Sequence, residues 1–317
     1  MNNRIQRRST RRSVFFPRPP GQDLSEIESA HYADMFSEDV SMFLPGFDEA
    51  SRAIRLEPQD PAIEQLIEEA VHIHHYGAGV SAAVSEFIRL AARRVAGYGS
   101  AFYEITFETP TGEAKPDQFH FQAIDPESIR VKRGELYQYI HHSVAKERNV
   151  SQRIHVPKEY LLKLSPPKGW QREFRKISYG LTTLSRVLIP EFAYSKAPGD
   201  PNTIPIDTMQ YLKTQELAVL AVTKRAGWNT RGTSSGKISG YYWFRRWLRF
   251  EKLKIELRTS LIECLNDGLR RVGTKLGFSN QILVSGLPTL ADIASAENEL
   301  QNGSRALSEM MKPFLRV

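Results

Sequence analysis

The sequence predicts an α+β fold in which an α/β region precedes a mainly helical one. Three observations support this class: a long amphipathic helical pattern from Val80, short alternating strand patterns up to residue 164, and helical patterns in most of the remainder. The chain of 317 residues is 41% apolar and 25% charged, so it can bury a real core. We expect three units, at residues 1–60, 61–175 and 176–317.

The first unit combines a basic arm with an acidic segment. Residues 1–20 hold six arginines and no acid, whereas residues 21–60 hold ten acids against two basic residues. Prolines in the first 22 residues favour an extended arm, for which a solubilising tail is the alternative. Scattered aromatic residues over 23–58 favour short helices that lie on another part of the molecule.

The second unit begins with two predicted helices. The first runs from Pro61 to about His75 and breaks at Gly77 and Gly79. The second has one apolar face and ends at glycines 97 and 99, since glycine is the usual helix cap. Its apolar residues recur at helical spacing: Val80, Ala83, Val84, Phe87, Ile88, Ala91, Ala92 and Val95.

Strand patterns fill the rest of this unit, and helices the next. Alternation and turn residues predict the strands 100–107, 119–124, 129–131, a pair around Tyr137 and Tyr139, and 154–164. The remaining patterns predict helices at 180–196, 206–226 and 241–276, a strand at 281–285, and a last helix from Thr289 or Asp292 that ends before Pro313.

The order of these elements resembles the portal (head–tail connector) proteins of tailed bacteriophages. The resemblance covers about a third of the chain and rests on five motifs in order. The first two are the long helix followed by Gly99 to Tyr103, and the Asp-Pro segment Ile124 to Val131. The other three are the Tyr-x-Tyr strand, the strand near Pro157-Lys158-Glu159, and the turn Tyr179-Gly180-Leu181-Thr182 that opens a helix. The resemblance implies a portal-like fold, with an α/β wing followed by a stem-like helical region and a clip-like strand.

The resemblance also implies a role and partners. Portal proteins form a ring, usually of twelve subunits, at one capsid vertex, and double-stranded DNA passes through it. The partners implied are the chain itself, the major capsid protein, the terminase, a neck or tail adaptor, and duplex DNA. The place implied is the virion, after assembly in the host cytoplasm. The implied action is geometric, so we expect no enzyme activity, no catalytic residues and no cofactor.

Charge indicates where DNA or a partner would bind. The net charge is +7, yet residues 221–258 alone carry +8, so two basic regions stand against a mildly acidic remainder. Such regions attract phosphates, or the acidic segment 21–60 of a neighbouring subunit. The candidate residues are Arg4, Arg7, Arg8, Arg11, Arg12, Arg225, Arg231, Lys237, Arg245, Arg246 and Arg249.

Aromatic and basic residues alternate at the start of the predicted helix 241–276. Proteins that bind single-stranded nucleic acid stack the bases on such aromatic residues, but the same mixture of residues also occurs at helix–helix interfaces. The apolar positions, which we expect to form one buried stripe, are Trp243, Trp247, Phe250, Leu257, Leu261 and Leu265. The arginines mostly fall off that stripe, which favours a packing helix with a cationic outer face. Glu251 and Glu256 weaken the alternative of a membrane-surface helix.

Several chemical motifs fail on their own requirements. The run 232–236 matches Gly-x-Ser-x-Gly, but no histidine follows His155, so the order needed for a hydrolase triad is impossible. The phosphate-loop reading fails because Arg231 and Ile238 replace required residues. The cluster His72, His74 and His75 lacks the further ligands of a metal site, so no metal is expected.

Two functional classes remain as alternatives. One is a sequence-independent nucleic-acid-binding protein that forms no ring, and the other is an enzyme acting on a polyanion. The single cysteine excludes an internal disulfide and fits a reducing compartment. No run approaches the ~18 apolar residues that cross a bilayer, so no membrane partner is expected. The N-terminus lacks an apolar signal core, which argues against secretion.

Overall fold

The computed structural model describes residues 31–46, 49–71, 77–109, 116–132, 135–147, 149–187, 208–231, 239–303 and 305–314. Helices in these ranges are α1 (His31–Ser41), α2 (Ala50–Ala53), α3 (Pro61–Val71), α4 (Val80–Tyr98), α5 (His142–Glu147), α6 (Trp170–Val187), α7 (Thr208–Val222), α8 (Gly240–Leu276), α9 (Leu290–Asn302) and α10 (Leu307–Met311). Together with the strands they form the mixed α+β class that the sequence predicted.

The strands form three small antiparallel sheets. They are β1 (Ile54–Glu57), β2 (Ala101–Glu108), β3 (Gln118–Ile124), β4 (Ile129–Lys132), β5 (Glu135–Tyr139), β6 (Arg153–Val156), β7 (Leu161–Leu164) and β8 (Gln281–Val284). The sheet orders are β1–β8, β3–β2–β7 and β4–β5–β6.

The amphipathic pattern from Val80 is confirmed as α4. All eight of its predicted apolar residues are buried. Gly97 stays inside the helix, and Gly99 ends it in the left-handed conformation, with φ of 79°. Its amide donates to the Val95 carbonyl at 2.7 Å, which satisfies one of the carbonyls left open at a helix end. Strand β2 therefore starts directly after the cap.

The predicted strand 154–164 is wrong as a single element. Pro157 has no amide hydrogen for a ladder, and a 3-10 turn at Lys158–Tyr160 follows it. The two halves consequently join different sheets: β6 pairs with β5, and β7 pairs with β2.

The helix predicted from Gly180 begins ten residues earlier, at Trp170. Phe174, Ile177 and Leu181 are buried at helical spacing, so the apolar face is already set before the Tyr-Gly motif. A Cβ on Gly180 would lie 2.8 Å from Val222 Cγ1, which shows that the glycine permits close packing against α7 rather than a turn.

The ends of the chain also depart from the prediction. The acidic segment contains the predicted helices but also β1, which the sequence reading missed, and β1 pairs with β8. The last predicted helix starts where expected, with a capping box between Thr289 and Asp292, but it is interrupted at Gly303. The second piece, α10, leads into a 3-10 turn at Lys312–Phe314.

One main core unites the chain. Its buried residues come from α1, α2, β1, α3, α4, the β3–β2–β7 sheet, α6, α7, α8 and β8, and from the turns after α1 and α7. The boundary expected at residues 175/176 falls inside α6, and core residues on both of its sides belong to this same cluster. A second cluster joins the first half of α8 to α9 and α10, and a third lies under the β4–β5–β6 sheet.

Candidate nucleic-acid or partner interface

The basic segment 221–258 spans the end of α7, the turn 223–231 and the first half of α8. Lys237 and the five arm arginines named above, together with His72, His74 and His75, lie outside the described residues. The remaining candidates are five arginines, and the structure places them in three different environments. The five are Arg225, Arg231, Arg245, Arg246 and Arg249.

Arg246 is buried, with 1% of its surface exposed. Its guanidinium donates to the Asn229 side-chain oxygen at 3.0 Å, the Leu220 carbonyl at 3.1 Å, and Thr223 Oγ1 at 3.1 Å. It also donates to the Trp228 carbonyl at 2.7 Å. Burial lowers the pKa of this guanidinium. Placing Arg246 on a cationic outer face was therefore wrong: it ties α8 to the end of α7.

Arg231 binds the acidic segment of its own chain. Its Nη2 lies 2.6 Å from Asp39 Oδ1 and 3.0 Å from Glu38 Oε2. Asp39 also accepts from Trp228 Nε1 at 2.8 Å through its second oxygen. These hydrogen bonds raise the pKa of Arg231. The attraction between the basic and acidic segments thus operates within one chain at this point.

Arg225 anchors the turn after α7 to the start of α6. It donates to the Gly169 carbonyl at 3.1 Å and lies 3.4 Å from Glu173 Oε2. Its guanidinium carbon stands 4.6 Å from the centre of the Trp170 ring, within the range of a cation–π contact. Half of its side chain is still exposed to solvent.

Arg249 and Arg245 differ although they are one helical turn apart. Arg249 is half-buried and donates to the Lys224 carbonyl at 3.1 Å, so it fixes the chain that leaves α7. Arg245 is exposed, as are Lys224 and Lys252. Of the four basic residues that the sequence placed on the outer face of this helix, Arg245, Arg246, Arg249 and Lys252, the structure therefore leaves Arg245 and Lys252 exposed.

The apolar stripe of α8 is confirmed for packing. Phe250, Leu257, Leu261 and Leu265 are buried in the main core. Trp243 and Trp247 are partly buried against the second cluster instead. The Trp247 ring meets Phe314 edge-on at 5.4 Å between centres, so the last described turn of the chain covers the aromatic start of α8.

A second basic cleft escaped the sequence reading. Between the 3-10 turn before β7 and the second half of α8, Lys158, Lys163, Arg270 and Arg271 stand around an open depression with Glu159 and Asp267. Arg271 donates to the Leu161 carbonyl at 3.0 Å, and Arg270 pairs with Asp267 at 2.8 Å. Burial raises the pKa of the nearby Cys264 thiol. The pair Lys158 and Lys163 is more than a hundred positions from the pair Arg270 and Arg271 in sequence. No local sequence pattern could therefore predict the cleft.

Neither a metal site nor a membrane helix is found in the described residues. No group of three His, Cys, Asp or Glu side chains there could hold a metal ion. None of the described helices is both long enough and apolar enough to span a bilayer.

No family model and no curated protein match the chain. Among solved structures, the chain is similar to one in the neck of an empty gene transfer agent (GTA) particle, with 10% identity, a TM-score of 0.48, and 94% and 90% of the two chains covered. It is similar to one in the virion of the native GTA particle, with 12% identity, a TM-score of 0.46, and 89% and 90% covered.

A third similar structure is an HK97 family phage portal protein from Corynebacterium diphtheriae. The identity is 8% and the TM-score 0.42, with 83% of this chain and 97% of that one covered. A portal protein, the family named from sequence motifs, is thus among the solved structures that this chain is similar to.

Proposed function

We propose that this chain is the subunit of a portal-like ring at a capsid vertex. Copies pack head-to-tail around a channel, since a repeated heterologous contact closes when the rotation between subunits closes. The ring admits and releases double-stranded DNA, and it is the docking point of the packaging motor and the tail. In this role the chain makes and breaks no covalent bond.

One observation supports this proposal above the others: most of the portal-type motifs lie at the element boundaries where the resemblance requires them. Gly99 caps α4 and leads into β2. Asp125-Pro126 forms the turn between β3 and β4, and the Tyr-x-Tyr pair lies on β5. The exception is the Tyr-Gly motif, which lies within α6 instead of at its start.

The Asp-Pro motif has a clear structural cause. The Asp125 carboxylate accepts from the Glu127 amide at 2.9 Å, and its carbonyl accepts from the Ser128 amide at 2.9 Å. An aspartate that bonds its own backbone two residues on stabilises a tight turn. This turn passes the chain from the β3–β2–β7 sheet to the β4–β5–β6 sheet, so the motif lies at the point where the two sheets are joined.

The proposed partners are those that the resemblance to portal proteins implies. The ring would contact itself, the major capsid protein, the terminase and a neck or tail adaptor, in a virion assembled in the host cytoplasm. The arm arginines, Lys237 and the exposed Arg245 are proposed to face DNA or one of these partners. Arg225, Arg231 and Arg249 are proposed to shape that surface, because each is engaged with another part of its own chain.

Oligomeric state tests the proposal directly. We expect the full chain to elute as one large species whose mass by light scattering is about twelve times that of one chain, and to appear as annuli by negative-stain microscopy. A single copy that persists at high protein concentration would contradict the ring. If such a monomer bound duplex DNA with a steep loss of affinity in salt, the non-ring nucleic-acid-binding alternative would replace it.

A charge test separates DNA contact from ring assembly. Replacing the exposed Arg245 and Lys252 by glutamine should leave the annuli intact, while the salt dependence of duplex binding becomes shallower by about one to two phosphate contacts. The matched control replaces Arg172 and Lys176, exposed on α6, by glutamine. An unchanged salt slope in the α8 variant would place the DNA contact elsewhere.

A further inference from the structure

The β4–β5–β6 sheet presents one face to the protein and the other to solvent. Its register pairs Leu136 with Val156, and Ile129 with Gln138. Directly opposed residues in an antiparallel sheet share a face, and successive residues alternate. Ile129 and Val156 are buried in the third cluster, with Leu136 packed against them, so this set faces inward.

The opposite set faces outward, and it is cationic and aromatic. The register places Tyr137 between Arg130 and His155, Lys132 opposite Glu135, and Tyr139 opposite Arg153. Three guanidinium or ammonium groups thus share this face with a single carboxylate. The tyrosines lie on the middle strand and the basic residues Arg130 and Arg153 on its two neighbours.

The outer face is already organised around Tyr137. The guanidinium carbon of Arg153 lies 3.7 Å from the centre of the Tyr137 ring, and the His155 ring centre lies 5.4 Å away. The Tyr137 hydroxyl donates to the Glu135 carboxylate. A guanidinium carbon this close to a ring centre covers the ring on one side, and the planar guanidinium can stack a further planar group on its other side. Arg153 is exposed, so that second face is accessible.

Tyr139 adds an accessible ring next to this stack. It is 42% exposed and stands directly across from Arg153. Tyr139 therefore presents an exposed ring on the same sheet face as the Arg153–Tyr137 pair.

We propose that this outer sheet face binds single-stranded nucleic acid, with one base on the Arg153–Tyr137 stack, a second on Tyr139, and the phosphates near Lys132 and Arg130. Sheet faces with central aromatic residues and flanking cations bind single strands by stacking and charge together. Strands about 4.8 Å apart, with four or five residues at about 3.4 Å each, give an area that fits roughly two or three nucleotides.

Duplex nucleic acid and acidic peptides should bind this surface more weakly than a single strand does. A duplex buries its bases in the helix, so it would meet the cations alone and leave the ring and guanidinium planes without a partner. An acidic peptide would likewise pair with the cations only. The proposal does not depend on the ring, since every residue in it belongs to one sheet of one chain.

Fluorescence anisotropy with the full chain tests it. The probes are labelled oligo(dT), oligo(U) and a duplex of equal length, and the two single strands ask whether DNA or RNA is preferred. We expect Tyr139→Ala to weaken single-strand binding about tenfold. Arg153→Lys, which keeps the charge but loses the plane, should weaken it several-fold and leave duplex binding unchanged.

Matched controls are the exposed α6 residues Tyr179→Ala and Arg172→Lys, which should bind both strands like the parent. Thermal melts followed by circular dichroism check that both sheet variants fold. If Arg153→Lys does not fold, Tyr139→Ala still tests the proposal. Three results would overturn the proposal. The first is that the parent does not bind the single strands at all, and the second is that the variants lose duplex affinity and single-strand affinity equally. The third is that poly-glutamate displaces the single strand from the parent while Tyr139→Ala leaves single-strand affinity unchanged.

Discussion

The Arg231 guanidinium and the Asp39 carboxylate meet at 2.6 Å across 192 positions of sequence. Asp39 lies near the end of α1, within the acidic segment 21–60, and Arg231 is the last residue of the turn 223–231 after α7. The Asp39 side chain is 17% exposed, and its second oxygen accepts from the Trp228 indole. One carboxylate therefore holds two residues of the basic segment, Trp228 and Arg231, against α1.

This pairing predicts unequal effects for neighbouring carboxylates. Asp39→Asn should lower the free energy of urea unfolding by about 1 kcal/mol, because it weakens both bonds. Glu38→Gln, which loses only an exposed contact at 3.0 Å, should change it by less than about 0.5 kcal/mol. A double-mutant cycle with Arg231→Gln should give a coupling of about 0.5–1 kcal/mol to Asp39. Equal effects at both carboxylates would contradict the geometry.

Arg246 and its neighbour Arg245 make a second matched pair. Arg246→Lys leaves several of the four oxygens around this site without a donor, since an ammonium cannot reproduce the planar fork. We expect a loss of about 3 kcal/mol in the free energy of unfolding. The exposed Arg245→Lys should stay within about 0.5 kcal/mol of the parent. A tolerated lysine at 246 would show that the buried network does not depend on the guanidinium.

The Glu251 carboxyl should make the free energy of unfolding depend on pH. Burial, opposed by the Lys254 ammonium at 2.8 Å, raises the pKa of this carboxyl above its ordinary value of 4.5. A raised carboxyl pKa means that the folded chain binds this proton more readily than the unfolded chain. The cost of the buried charge is therefore present above the raised pKa and is relieved as the pH falls towards 4.5.

The measurement compares the parent with Glu251→Gln in urea between pH 7.5 and about pH 4.5. The glutamine variant keeps an acceptor for Lys254 but has no proton to bind. Relative to it, the parent should gain stability as the pH falls through this range. Glu263→Gln, exposed on the same helix, controls for the loss of a carboxylate. A parent that loses stability relative to the glutamine variant would reverse the sign and refute the assignment.

The N-terminal arm offers a test of attachment. Deleting residues 1–20 removes six arginines. The fold should be retained, as read by circular dichroism and melting temperature, because the buried core that the structure describes is built from residues of α1 and of the elements after it. Retention on DNA, or incorporation into capsids, should weaken because fewer phosphates or acidic groups are neutralised. A variant with the six arginines changed to glutamine separates charge from length. Unchanged retention and incorporation after the deletion would refute the role.

Sequence patterns correctly predicted the helices and strands that depend on residue spacing and on glycine caps. The apolar face of α4, its glycine cap and the start of β2 follow from spacing and from the freedom of glycine at positive φ. The 37-residue helix α8 was predicted within one residue, because its periodic pattern is long. Errors fell where a local signal was ambiguous, as at Pro157, where a strand pattern continued across a break between two sheets.

The sequence by itself determined the fold class, most helices and strands, and the concentration of positive charge in residues 221–258. Tertiary structure alone decided which of those charges are available. Arg245 and Arg246 are adjacent and chemically identical, yet one is exposed and the other is surrounded by oxygens from Leu220, Thr223, Trp228 and Asn229. A buried charge is tolerated only where distant segments supply its hydrogen bonds, and the helical pattern of α8 contains no information about those segments.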